Sequence, residues 1–377
     1  MSIDPLKFYD ILAEKGIDFF TGVPDSLLKQ FCLCIDDKVS EDRHVISANE
    51  GNAIALAAGY HLGTGKTPLV YMQNSGLGNA VNPLLSLCDP DVYSIPLIIV
   101  VGWRGEPGVK DEPQHIKQGK VQLDLIKSLD IPFSIISKDE QDIDSKITEG
   151  VERAILANRP FVFVIKKGTF SNYLAENSSD SLKIMTREKA LEIMLNQFPE
   201  DVIIVSTTGK TSREIFEIRE KNGESHFKDF LTVGSMGHCS SIALGIAISN
   251  PERKVVCIDG DGALIMHMGS LSTVGKLHPD NFYHILINNQ VHESVGGQAT
   301  SADTIDIPAL VRANGYKNVL FTSDEKGLSA QVGEFIEGNG PNFLEVKVKP
   351  GSREDLGRPT VKPVDNKKAF MNYVQDK

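Results

Sequence analysis

The chain has 377 residues, of which 41% are hydrophobic and 24% charged, with a formal net charge of −11. That length exceeds one ordinary core and predicts a globular protein of two domains or three. The negative balance argues against a broad nucleic-acid footprint and against a polybasic membrane surface, while leaving room for a local cationic pocket.

The five cysteines, Cys32, Cys34, Cys88, Cys239 and Cys257, are odd in number, sit mostly inside apolar runs and show no CxxC spacing. They read as buried thiols of a reducing compartment. The N-terminal stretch carries acids where a secretory leader carries bases, and no stretch approaches about eighteen uninterrupted apolar residues, so a cytoplasmic, non-membrane protein is expected.

In chain order, strand-length apolar runs occur at "IDFFTGVP", "HVISAN", "PLVYMQ", "PLIIVVGW", "PFSII" and "FVFVIKK", separated by stretches of helical spacing with Gly or Pro punctuation. This is the pattern of a mainly parallel six-stranded sheet flanked by helices, an α/β domain expected over residues 1–170. Residues 171–185, polar and rich in Ser and Asn, read as a linker. Over 186–377 the pattern restarts with "DVIIVSTTG", "FLTVGSMG", "KVVCIDGDG", "FYHILINN", "NVLFTS" and "NFLEVKVK", and ends in a tail with a short helix. No residue-level repeat is visible, so any duplication is one of architecture.

The run "KVVCIDGDG" is expected to be a strand ending near Asp259, followed by a glycine turn and one helix, "ALIMHMGSLSTVGKL", starting near Ala263. "NFYHILINN" is then the next parallel strand, reached by a right-handed crossover. Asp261 and Asn289 thereby emerge at the carboxyl ends of neighbouring strands, where open α/β sheets bind ligands. Gly260 and Gly262 let the backbone approach a ligand closely. A carboxylate and an amide carbonyl are hard oxygen donors that suit Mg²⁺ or Ca²⁺, and the arrangement implies a magnesium diphosphate site. Taken singly, Gly-Asp-Gly is a turn and Asn-Asn a strand end; the pair at this spacing is far more specific.

GDG followed after one helix and one strand by NN resembles the signature of the thiamine diphosphate-dependent decarboxylase superfamily. That resemblance implies magnesium ligation by Asp261, the side chain of Asn289 and the carbonyl of Val291, with Gly260, Asp261, Gly262 and Ala263 lining the cofactor. It also requires a glutamate in the other domain. "HVISANEGNAIALAAGYHLGTG" places Glu50 between a strand and a small-residue helix, in the context of the family's catalytic glutamate, which hydrogen-bonds the aminopyrimidine ring. Burial of that helix would raise the carboxyl pKa while the helix N-terminus would lower it; the plainer reading is that Glu50 satisfies helix N-terminal amides. "FLTVGSMGHCSSIALGIA" supplies Gly234, whose carbonyl accepts the aminopyrimidine amine in the family, and Met236, which props the cofactor in its bent form. Thr208, Gly209 and Lys210 in "VSTTGK" are candidates for the diphosphate, and Asn74 and Gly76 in "QNSGLGNAVNPL" for the ring.

With the glutamate domain first, only a linker where related decarboxylases carry a middle domain, and "TGVPDSLLKQF", "GWRGEPGVKDEPQHIKQG" and "NNQVHESVGGQAT" along the chain, the sequence is most similar to the phosphonopyruvate decarboxylase family. Sulfopyruvate decarboxylases, often split into two subunits, are the close alternative. A non-catalytic thiamine diphosphate-binding protein would lack Glu50. The resemblance implies decarboxylation of a small anionic 2-oxo acid to an aldehyde. Such a doubly anionic substrate needs cationic or N–H donors. The candidates are Arg104, Lys110, His115 and Lys117, expected on the loop after "PLIIVVGW", and a backbone nest at Gly296 and Gly297. His115, Asp25 and His292 are candidate proton donors. The family's sites lie at subunit interfaces, which implies a homo-oligomer, a dimer or a dimer of dimers.

Overall fold

The computed structural model describes residues 2–174 and 185–375. The chain divides into two compact units, Met1–Ser179 with Ser294–Gln298, and Asp180–Glu293 with Ala299–Lys377. Of the expected linker, 171–185, residues 175–184 lie outside the described residues.

The first unit holds β1 (Phe20–Gly22), β2 (His44–Ile46), β3 (Leu69–Gln73), β4 (Ile98–Gly102), β5 (Phe133–Ile136) and β6 (Phe161–Ile165), all parallel, in the order β2-β1-β3-β4-β6-β5. Strands covered on both faces need apolar side chains at every position. Accordingly every residue of β4, IIVVG, and of β6, FVFVI, is buried. The two-residue alternation divides each run between two cores. Ile98 and Val100 pack with Phe8, Phe31 and Phe163 on one face, Ile99 and Val101 with Ala53, Leu77 and Trp103 on the other.

The second unit repeats this with β7 (Ile203–Ser206), β8 (Asp229–Leu231), β9 (Val255–Gly260), β10 (Phe282–Asn288), β11 (Val319–Thr322) and β12 (Asn342–Lys347), again all parallel, in the order β11-β12-β10-β9-β7-β8. Read from its other edge, that order is the one found in the first sheet. Val256 and Ile258 face one core, Val255 and Cys257 the other. The terminal helix Pro363–Gln375 lies against β8, where Asn366 donates to the Asp229 carbonyl at 3.0 Å and Phe370 is buried. All five cysteines are buried free thiols. Among the described residues no helix is long and apolar enough to cross a membrane.

One departure from expectation follows β9. The helix after β9 is two helices, Asp261–Met266 and Ser270–Leu277. The break falls at His267, whose backbone leaves the helical region at φ −133°, ψ 46°. Its ring packs against Gly237, where a Cβ would lie 2.5 Å from His267 Cδ2, and sits 4.4 Å from the His238 ring. Gly269, a weak helix former, completes the break.

Candidate active site

In the first sheet the chain passes from β1 to β2 on one side and from β3 onward on the other. A crevice therefore opens beyond the carboxyl ends of the adjacent strands β1 and β3. Asp25 follows β1 and Gln73 ends β3. The Gln73 amide donates to Asp25 Oδ1 at 2.7 Å and the Leu27 N–H donates to Oδ2 at 3.2 Å. Asp25 is fully buried, and that burial pushes its carboxyl above the usual range. β4 must end in glycine here, because a Cβ on Gly102 would lie 2.0 Å from Asp25 Oδ2.

Glu50 opens the helix Glu50–Thr64, but it is not the cap. Asn49 fills that role, accepting the Asn52 N–H at 3.0 Å. The Glu50 carboxylate is buried and accepts a hydrogen bond from Asn79 Nδ2 at 2.7 Å. Gly76 gives it room, since a Cβ there would lie 2.2 Å from Glu50 Oε1. Asn74, expected beside the cofactor ring, holds the backbone of Arg104: its Nδ2 donates to the Arg104 carbonyl at 2.8 Å and its Oδ1 accepts the Arg104 N–H at 3.3 Å.

Arg104 is not a free cation. Its guanidinium makes a fork with the Asp111 carboxylate, Nε to Oδ2 at 2.8 Å, and donates to Ser26 Oγ at 2.8 Å. Burial raises the Asp111 carboxyl, and the Arg104 guanidinium with the N–H groups of Glu112 and Gly105 outweighs it, leaving the acid well below the usual carboxylate range. Lys110 is exposed. His115 and Lys117 lie on the helix Pro113–Ser128 rather than on a loop, His115 buried and Lys117 exposed. That helix is pressed onto the Arg104–Gly105 turn, for a Cβ on Gly119 would lie 1.8 Å from the Gly105 carbonyl oxygen. Gly296 and Gly297 belong to the segment Ser294–Gln298 of this same unit, Gly297 at φ +88°.

The second sheet opens an equivalent crevice beyond β7 and β9. After β7 the Thr207 N–H donates to the Ile258 carbonyl at 2.8 Å, and the chain turns through Thr208 and Gly209, at φ +98°, into the helix Lys210–Asn222. Asp261 leaves β9 and Asn289 leaves β10, strands paired in register through Ile287 and Gly260. The buried Asp261 carboxylate accepts the Thr300 hydroxyl and the N–H groups of Asn289 and Gly262. Burial nevertheless dominates and pushes its carboxyl up to about 6. Asn289 Oδ1 accepts the Val291 N–H at 3.2 Å, and its Nδ2 donates to Glu293 Oε2 at 2.9 Å.

This chemistry fits a small divalent cation: a carboxylate destabilised by burial beside an amide oxygen with a lone pair to spare. Space above the turn is kept by Gly262, where a Cβ would lie 2.9 Å from His292 Cε1 and 3.4 Å from Met236 Cε. Burial pushes the His292 ring down to about 4, so it is neutral at physiological pH. Ala263 is buried at the start of the short helix, and Gly234 and Met236 are half-buried after β8. The buried group Cys257, Asp259 and His284 lies earlier on β9 and β10, inside the sheet, and is a softer donor set.

Four supporting residues escaped the sequence reading: Gln73 on Asp25, Asn79 on Glu50, Thr300 on Asp261 and Glu293 on Asn289. Each acts through a side-chain amide, hydroxyl or carboxylate in an unremarkable local context. Only proximity to a motif could have drawn attention to Glu293 and Asn79.

Residues 7–127 match the thiamine pyrophosphate enzyme N-terminal TPP binding domain, and residues 207–346 match the thiamine pyrophosphate enzyme C-terminal TPP binding domain. Two parallel sheets of one topology carrying these two domains define the class as the thiamine pyrophosphate enzymes. Phosphonopyruvate decarboxylase of Streptomyces viridochromogenes is 36% identical, covering 96% of this chain and 93% of that protein, and its namesake from Streptomyces hygroscopicus is 34% identical over 97% and 92%. Sulfopyruvate decarboxylase of Methanosarcina acetivorans is 26% identical over 98% and 97%. The chain belongs to the phosphonopyruvate decarboxylase family.

Proposed function

We propose that the chain decarboxylates 3-phosphonopyruvate to phosphonoacetaldehyde and CO₂ in the cytoplasm, with thiamine diphosphate and Mg²⁺, as a step in the biosynthesis of phosphonates of the 2-aminoethylphosphonate type. The observation that carries this reading is similarity along nearly the whole chain, at 36%, to a phosphonopyruvate decarboxylase. In this reading residues 1–170 are the pyrimidine-binding domain and 186–377 the diphosphate-binding domain.

Asp261, Asn289 and the Val291 carbonyl would hold the metal, whose charge would anchor the diphosphate. Thr208, Gly209, Gly260, Gly262 and Ala263 let backbone and hydroxyl groups close on the phosphate oxygens, and Gly234 and Met236 seat the ring system. When bound, thiamine diphosphate supplies a nucleophilic carbon and an electron sink for the pair released as CO₂ departs. Glu50 holds a proton toward the aminopyrimidine nitrogen, and the Asn79 amide fixes the carboxylate that carries it. Either His115 or Asp25 donates the one proton that replaces CO₂ in the product; burial keeps Asp25 protonated more readily than an exposed acid. With Arg104 paired to Asp111, the phosphonate falls to Lys110, His115 and the N–H groups at Gly296 and Gly297, and Arg104 fixes the loop that bears Lys110.

The enzyme is a homo-oligomer, a dimer or a dimer of dimers, with sites at the subunit interfaces. The small-residue helix Glu50–Thr64 supports this, since it leaves Leu56 and Leu62 exposed at 40% and 69%. The second reading, sulfopyruvate decarboxylation, is favoured by the full-length Methanosarcina acetivorans relative. Supplying phosphonopyruvate and sulfopyruvate separately, with thiamine diphosphate and Mg²⁺, and measuring CO₂ and aldehyde decides between them. Equal or faster turnover of the sulfonate would reject the phosphonate assignment.

A further inference from the structure

We infer that Glu293 is a positioning residue that sets the orientation of the Asn289 amide, and so presents its oxygen rather than its nitrogen to the metal. The inference rests on the magnesium reading of Asp261 and Asn289.

An ionised carboxylate accepts hydrogen bonds and cannot donate them. Glu293 Oε2 therefore faces the NH₂ side of Asn289, at 2.9 Å, and turns Oδ1 to the opposite side. Oδ1 there accepts the Val291 N–H at 3.2 Å and keeps a second lone pair for a cation. Rotating the amide by half a turn would set Oδ1 against the carboxylate and an NH₂ against the metal, both repulsive.

Glu293 is itself immobilised. Arg187 Nη1 donates to Oε2 at 2.8 Å and Lys210 Nζ reaches Oε1 at 2.6 Å. Arg187 is in turn locked by a two-point pair with Glu214, Nε to Oε2 at 2.7 Å and Nη2 to Oε1 at 2.8 Å. Arg187 and Glu214 are 5% and 1% exposed, so this pair is buried and its geometry is rigid. Arg187 and Lys210 together donate to both of its oxygens, so Glu293 meets its neighbours as an acceptor. Arg187 begins the first helix of the second unit and Lys210 begins the helix after the Thr208–Gly209 turn. One carboxylate thus ties the Asn289 turn to both helix starts.

The test uses Mn²⁺ as the probe, with thiamine diphosphate present, and follows free Mn²⁺ by electron paramagnetic resonance. Glu293→Gln, which can offer Asn289 either end of an amide, should weaken Mn²⁺ binding about 10- to 100-fold, the range for partners that orient metal ligands. The Mg²⁺ concentration for half-maximal decarboxylation should rise in parallel, with kcat at saturating Mg²⁺ kept within a few-fold. Should Glu293→Gln fail to fold, Glu293→Asp keeps the charge but withdraws it from Asn289, and the same weakening is expected. Glu214→Gln loosens Arg187 one step further from Asn289 and should lower thermal stability, with a smaller weakening of Mn²⁺ binding than either Glu293 variant shows. Wild-type affinity in both Glu293 variants, or equal weakening in Glu214→Gln, would overturn the inference. A wild-type chain that binds neither Mn²⁺ nor thiamine diphosphate would overturn it together with the functional reading.

Discussion

Glu50 meets three neighbours that define its use: Asn49 frees it from capping, Asn79 grips one carboxylate oxygen, and Gly76 leaves space for the other. Glu50→Gln preserves shape and removes the exchangeable proton, so turnover should fall by about 10²–10⁴, the usual worth of a general acid–base group. Thiamine diphosphate binding, read by calorimetry, should weaken yet remain detectable; a fully active variant would take Glu50 out of the mechanism. Gly76→Ala tests the same carboxylate without touching it. The added methyl must displace Glu50, so decarboxylation should drop sharply while the melting temperature changes little. The converse, a large melting shift with normal kcat, would make Gly76 a packing residue only.

Strands were legible because a parallel sheet buried on two faces writes itself as largely apolar runs, and β4, β6 and β10 are buried at every position. The acid at the tip of β9 and the amide at the tip of β10 were legible for a related reason: a polar residue ending such a run has to be accommodated by something. Partners distant in sequence were not. Arg104 reads as an available cation until Asp111 folds back onto it, and Glu293 meets Arg187 from 106 positions away. The break at His267 was hidden because its cause, the packing of Gly237 and His238, comes from another strand's exit. Element joints of this kind carry stability. Arg219 on the helix Lys210–Asn222 donates to both oxygens of Asp229 in β8, at 3.0 and 3.2 Å, with the two residues 2% and 0% exposed. Arg219→Ala leaves that carboxylate buried without its partner and should cost about 3–5 kcal/mol in urea unfolding. A loss below 1 kcal/mol would mean Asp229 finds water.

For the molecule as a whole, the proposed shared sites make a prediction no single variant can. Glu50→Gln and Asp261→Asn should each be inactive alone; co-expressed, their mixed oligomers should regain a fraction of wild-type decarboxylation if subunits share sites, and none if each chain is self-sufficient. Dialysis against a chelator should abolish turnover, and Mg²⁺ with thiamine diphosphate should restore it; activity surviving complete metal removal would refute the role given to Asp261. The strand order β2-β1-β3-β4-β6-β5 recurs in the second sheet as β8-β7-β9-β10-β12-β11, and neither sheet borrows a strand from the other. Such self-contained wiring means that a nick between β6 and β7 would sever no sheet pairing among the described residues. The gene could then be expressed as two polypeptides that reassemble into a working enzyme.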